Sequence, residues 1–174
     1  MGIRGRRAGN DGMIRATERA RLWAVLLLLV ALHFYVRPRL GDPRFTPDFV
    51  LIALLFLSIR SRPGAGALAG FTVGILTDAV APTAFGAAAL AGTAVGFLAG
   101  WLKAMFVADN ALITALFVFG AAWLRDVIQV LASNQLEGGA LGWQLLAWSP
   151  IAAGTTAVTA LVTLLVFRSW LARP

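Results

Sequence analysis

The chain has 174 residues, of which 59% are hydrophobic and only 13% charged; with its 18 glycines the apolar share reaches about 69%. Ordinary soluble domains are roughly 45–50% apolar with glycine counted, and about 25% charged. A chain this short has too little interior to hide that much hydrocarbon from water, so a water-soluble monomer is excluded and lipid is the expected solvent. The absence of Cys removes disulfides, thiolate catalysis, zinc–thiolate sites and iron–sulfur clusters, and the lone His33 rules out a histidine metal cluster. The net charge of +7 comes from 14 arginines and one lysine, with six arginines between positions 4 and 21. A basic end beside hydrophobic segments reads as a topology signal facing anionic lipid rather than as a nucleic-acid surface.

Arg4, Arg6, Arg7, Arg15, Arg19 and Arg21 precede a charge-free run from Leu22 to Val36. No small-residue cleavage site follows it, so the reading is a retained helix over about 20–36, starting near Thr17-Glu18, behind a flexible basic tail over 1–16. The second run, Phe49 to Ile59, is short for a span, and Pro47-Asp48 extends it as a helix N-terminus over about 47–59. After the turn Arg60-Ser61-Arg62-Pro63-Gly64 a third span covers about 64–80, with Asp78 inside it. Ala81-Pro82-Thr83 turns the chain into a charge-free fourth span over 84–102, closed by Lys103. Asp109-Asn110 caps a fifth span over 110–132, which carries Arg125 and Asp126. The polar stretch from Ser133 to Gly142 reads as a loop, and the last span covers 145–167 before Arg168.

Six spans place both termini on one side of a single transmembrane domain, 1–174. That side then holds the six N-terminal arginines, Arg60, Arg62, Lys103, Arg168 and Arg173, against Arg37, Arg39 and Arg44 on the other. The positive-inside rule makes the richer side cytoplasmic, with Arg60, Arg62, Lys103 and Arg168 as its anchors. The fold class expected is all-α, a six-helix polytopic membrane bundle.

Gly66, Gly70 and Gly74 are four apart in the third span, and Gly92, Gly96 and Gly100 in the fourth. Each set therefore lies along one helix ridge. In lipid, removing side chains lets two backbones approach closely, so these stripes are expected to pack helices of the bundle together or to dock a foreign helix. Asp78 continues the third-span ridge. A carboxylate there needs a partner: a cap or interhelical bond at the turn, with amides around Pro82 to Gly86, or a proton or cation. Arg125 and Asp126 diverge around their helix and need separate partners, and Asp78 is a candidate for Arg125. His33 beside Phe34 and Tyr35 reads as an interfacial belt. Ser149-Pro150 predicts a kink in the last span, with Thr155 and Thr156 able to bond freed carbonyls. Trp101, Trp143, Trp148 and Trp170 sit near span ends as interface anchors. No nucleophile–base grouping, phosphate loop or ligand cluster is present, so neither an enzyme nor a cofactor is expected.

The stretch from Pro47 to about Asn134 resembles the MreD family of rod-shape membrane proteins. The matching features, in order, are Pro47-Asp48 opening a hydrophobic run, Gly66, Gly70 and Gly74 leading to a Gly-x-x-x-Asp element ending at Asp78, Gly86 after the next turn, a glycine-rich helix, and Asp109-Asn110. Ala87 stands where the family often carries a polar residue. The resemblance implies a non-catalytic partner of MreC in the plasma membrane. It would work with MreB, RodA and a class B penicillin-binding protein in peptidoglycan synthesis, contacting lipid and no nucleic acid. Bundles of this kind are similar to the substrate-binding components of energy-coupling-factor vitamin transporters. That gives an alternative function, which would need convergent polar groups in an outward-facing pocket. A pore or proton-coupled carrier, resting on Asp78, Arg125 and Asp126, is a third.

Overall fold

The computed structural model describes residues 20–36, 39, 41, 45–80, 84–103, 111–134 and 138–171, with side chains to Val166. The basic tail, Thr17-Glu18, Ala81-Pro82-Thr83, Asp109-Asn110, and the side chains of Arg168 and Trp170 lie outside the described residues. Those described form a membrane helix bundle of six helices with no strand. They are α1 (Ala20–Tyr35), α2 (Phe49–Ser58), α3 (Pro63–Val80), α4 (Ala87–Trp101), α5 (Ala111–Ser133) and α6. The last runs without a break through Gly138–Trp143, a π-helical turn Gln144–Trp148, and Ser149–Leu171. Three stretches are long and apolar enough to cross a membrane: α3, α5 and the α6 segment Gly138–Val166.

The shortest of these helices, α2, is the centre of the bundle. Eight of its ten residues are buried, with Ile52 fully enclosed and Leu51, Leu54 and Leu55 nearly so. A helix apolar on every side buries every side, and α2 is in contact with α3, α4, α5 and α6. Val25, Leu26 and Leu29 of α1, Val95 and Ala99 of α4, Val118 and Ala122 of α5, and Ala153, Ala157 and Ala160 of α6 complete the same core. The outward faces are hydrocarbon: Leu68, Leu76, Leu90, Leu112, Leu116, Val158 and Leu165 are each more than half exposed. Lipid can cover such a surface. Thr72, Thr77, Thr93, Thr159 and Thr163 each donate to the carbonyl four residues back, which keeps their hydroxyls satisfied within the helix.

The most extensive helix pair is the antiparallel hairpin α3–α4. Each step of four forward along α3 is a step of four back along α4. A Cβ added to Gly66 would overlap the Gly96 carbonyl, one on Gly70 that of Gly92, and one on Gly74 the backbone of Ala88 and Ala89. The reciprocal overlaps hold for Gly92 and Gly96, while Gly100 lies against Pro63, where a Cβ would sit 2.8 Å from its Cα. Both glycine stripes are spent on each other, which leaves neither free to dock a foreign helix.

The π turn lies just before Pro150, where the kink is expected. In a π register the Leu145 carbonyl would take the N–H of residue 150, which proline lacks. The indole Nε1 of Trp123 donates to that carbonyl instead, at 3.1 Å. Thr155 and Thr156 both donate to Ala152, so they do not serve the freed carbonyl. Helix α6 also starts at Gly138, inside the stretch read from sequence as a loop, and Gly138 itself has φ +57°.

Candidate functional site

Lys103 reaches the Ser61 carbonyl at 3.5 Å, which gathers Lys103 with the exposed Arg60 and Arg62 at one end of the bundle. The buried charges collect at the other end, where α2 begins and α3 and α1 finish. Asp78 is 4% exposed and accepts three backbone N–H groups from the start of the next helix: Gly86 at 3.0 Å, Ala88 at 3.1 Å and Ala89 at 3.0 Å. Gly86 precedes α4 with φ +98° and brings no side chain, so the preceding helix supplies the cap. The first amides of a helix lack internal partners and carry the positive end of its dipole, which suits a carboxylate.

Replacing Asp78 by Ala is expected to cost about 2–3 kcal/mol, since it strands buried donors. Asp78→Asn should recover part of that, because one amide oxygen still accepts. Thermal unfolding of the purified variants in one detergent measures both.

Asp78 does not meet Arg125. Its oxygens are aimed at α4, while Arg125 pairs with Asp48, the residue that opens α2. Asp48 is a four-way junction: Oδ1 caps the Leu51 amide at 3.0 Å, Oδ2 takes the guanidinium, and the backbone N–H donates to Thr156 Oγ1 at 3.1 Å. His33 Nδ1 lies 3.5 Å from Oδ1. His33 therefore turns inward, at 17% side-chain exposure, while Phe34 and Tyr35 remain about two-thirds exposed as belt residues would be. Asp126 has a different partner, the buried hydroxyl of Ser149, which also lies 2.9 Å from the Gln144 carbonyl. One hydroxyl proton serves one of these acceptors at a time.

These groups surround a cavity of about 290 Å³. Asp48, Arg125, Asp126 and Ser149 line it together with Thr46, Thr77, Gln129, Gln144, Trp148 and Thr156. Trp148, expected to be an interface anchor, is half-buried in this wall with Phe45 edge-on to its ring at 6.2 Å. Trp101 and Trp143 are about 70% exposed. Of the lining, sequence reasoning had singled out Arg125 and Asp126 as intramembrane charges but missed the convergence. Among the described residues no group of three His, Cys, Asp or Glu could hold a metal ion.

A family model described as rod shape-determining protein MreD matches residues 15–154. The chain belongs to the MreD family. The match takes in α1 to α5 and the first part of α6, hence every residue of the Asp48 junction except Thr156. Neither the curated proteins nor the solved structures provide a match. MreD proteins are shape-determining membrane proteins of the rod-shape complex, so a role in rod shape and the presence of protein partners follow from membership.

Proposed function

We propose that this MreD-family protein is a non-catalytic scaffold of the elongation complex. It holds the transmembrane helix of MreC and through it supports peptidoglycan synthesis by RodA and a class B penicillin-binding protein, in step with MreB. The observation that carries this reading is the family match across residues 15–154. The structure is compatible with it in a specific way. With the glycine ridges spent inside the hairpin, a partner helix would meet apolar outer faces of the bundle, and those of α3, α4 and α5 are the ones proposed for it. An orientation with both termini cytoplasmic in the inner membrane, crossed six times, agrees with the exposed Arg60, Arg62 and Lys103 at one end.

Photoreactive residues placed singly at Leu68, Phe71, Leu90, Phe97, Leu112 and Leu116 test the reading. Capture of MreC from one helix face and not from the others is the expected outcome. Absence of MreC from every position, together with failure to co-purify, would refute it. The chain has no cysteine, so single cysteines at Ser61 and Asn134 report orientation without background: labelling is expected from inside at 61 and from outside at 134.

A second reading, a vitamin-type substrate-binding component of an energy-coupling-factor transporter, is favoured by one observation, the polar cavity. A vitamin that raises the melting temperature of the purified protein would support it.

A further inference from the structure

Polar cavities inside a helix bundle are costly in lipid and mark functional sites when they are retained. This one, at about 290 Å³, falls at the lower edge of the range of roughly 300–1,000 Å³ that holds small molecules. Its charges decide what it can take. Among the described residues the lining carries Asp48, Arg125 and Asp126. The guanidinium of Arg125 is already matched by Asp48. Asp126 has a neutral hydroxyl as its partner and, among the described residues, no cation. Among the described residues the lining is therefore one positive charge short.

The rest of the wall suits the same deficit. Trp148 lines the same cavity as Asp126 and Ser149, and an aromatic face attracts a cation as a carboxylate does. Gln129 and Gln144 add amides able to donate or accept, and the Thr77 hydroxyl, whose proton goes to the Val73 carbonyl, can still accept. Gln129, Gln144 and Trp148 are themselves only half-buried, so the cavity reaches the surface.

We propose that this cavity binds an ammonium group, seated between the Asp126 carboxylate and the Trp148 ring. The group is borne either by a small polar amine or by an ethanolamine lipid headgroup. The site does not depend on the scaffold reading, because the test below uses the purified protein without partners.

The full chain is reconstituted in nanodiscs of phosphatidylglycerol and titrated by calorimetry with ethanolamine, choline and putrescine, with ethylene glycol and acetate as neutral and anionic comparators. Saturable binding of at least one amine, and of neither comparator, is expected. Asp126→Asn keeps an oxygen for the Ser149 proton and should weaken binding about tenfold or more, since a charge-assisted contact is lost. Trp148→Leu should weaken it by about threefold; it carries the test if the first variant fails to fold. Discs containing phosphatidylethanolamine separate the sources. Weaker apparent amine binding there, with ethanolamine lipid retained by the native chain and not by Asp126→Asn in native mass spectrometry, assigns the headgroup; unchanged amine binding assigns a soluble amine. Two results would overturn the proposal: no amine binding in the first discs with no lipid retained in the second, or binding indifferent to both substitutions.

Discussion

Gly70→Leu is expected to prevent the bundle from forming. A Cβ on this residue already coincides with the Gly92 carbonyl, and the obstacle is backbone, which has no alternative rotamer. Overfilling a well-packed core with side chains costs about 1–3 kcal/mol; parting two helices along their closest approach costs more, because every glycine contact along the ridge loosens with it. Gly92→Leu should do the same, since the overlap is reciprocal. Gly120→Ala is the control. Its Cβ would meet nothing within 4 Å, and alanine is the better helix former, so a change within about 1 kcal/mol is expected. Yield of monodisperse protein and melting temperature in detergent read all three. Wild-type behaviour of Gly70→Leu would show that the hairpin is not the closely packed pair described here.

Arg125→Ala is the second large effect. The side chains of Arg125 and Asp48 are about 15% exposed, so removing one partner leaves the other charge short of both water and a counter-ion. Breaking a buried pair from one side costs about 3–5 kcal/mol, and the lower end applies because the cavity admits some water. Asp48→Ala should cost roughly 1 kcal/mol more, as it also removes the cap on α2. The double variant Asp48→Asn, Arg125→Gln should recover part of the loss, since the amide side chains can bond without charge. A double-mutant cycle through Asp48→Asn, Arg125→Gln and the two combined, on melting free energies, checks the coupling; strictly additive single effects would contradict it.

The helices were legible in the sequence because lipid imposes a coarse rule: charges mark the ends and apolar runs the middles. The role of Asp48 as the residue that opens α2 was legible too, from Pro47-Asp48 before a hydrophobic run. The junction around Asp48 was not. Arg125 is 77 positions away, and no periodicity links residues on different helices. Depth along the helices suggests Asp78 as its partner, and that pairing does not form; the cap at the turn, also expected of Asp78, does, on Gly86, Ala88 and Ala89. Asp78 stands four residues after Gly74, on the ridge that faces α4, so its carboxylate was bound to serve α4 and not α5. The inward turn of His33 has no comparable signal, because its aromatic neighbours Phe34 and Tyr35 point the reading outward. The start of α6 is not legible in the sequence, because the glycines in Gly138–Trp143 imitate a loop and only the helix that follows holds that segment in place.

The ten residues of α2 make a rod of roughly 15 Å, half the thickness of a typical hydrocarbon layer. Too short to partition laterally by its own hydropathy, such a segment has no stable lodging until its neighbours surround it. Its depth is therefore set by α3, α4, α5 and α6, which hold it as a keystone, and not by lipid. Mutations that weaken α2 should therefore loosen four neighbours at once rather than a single helix pair.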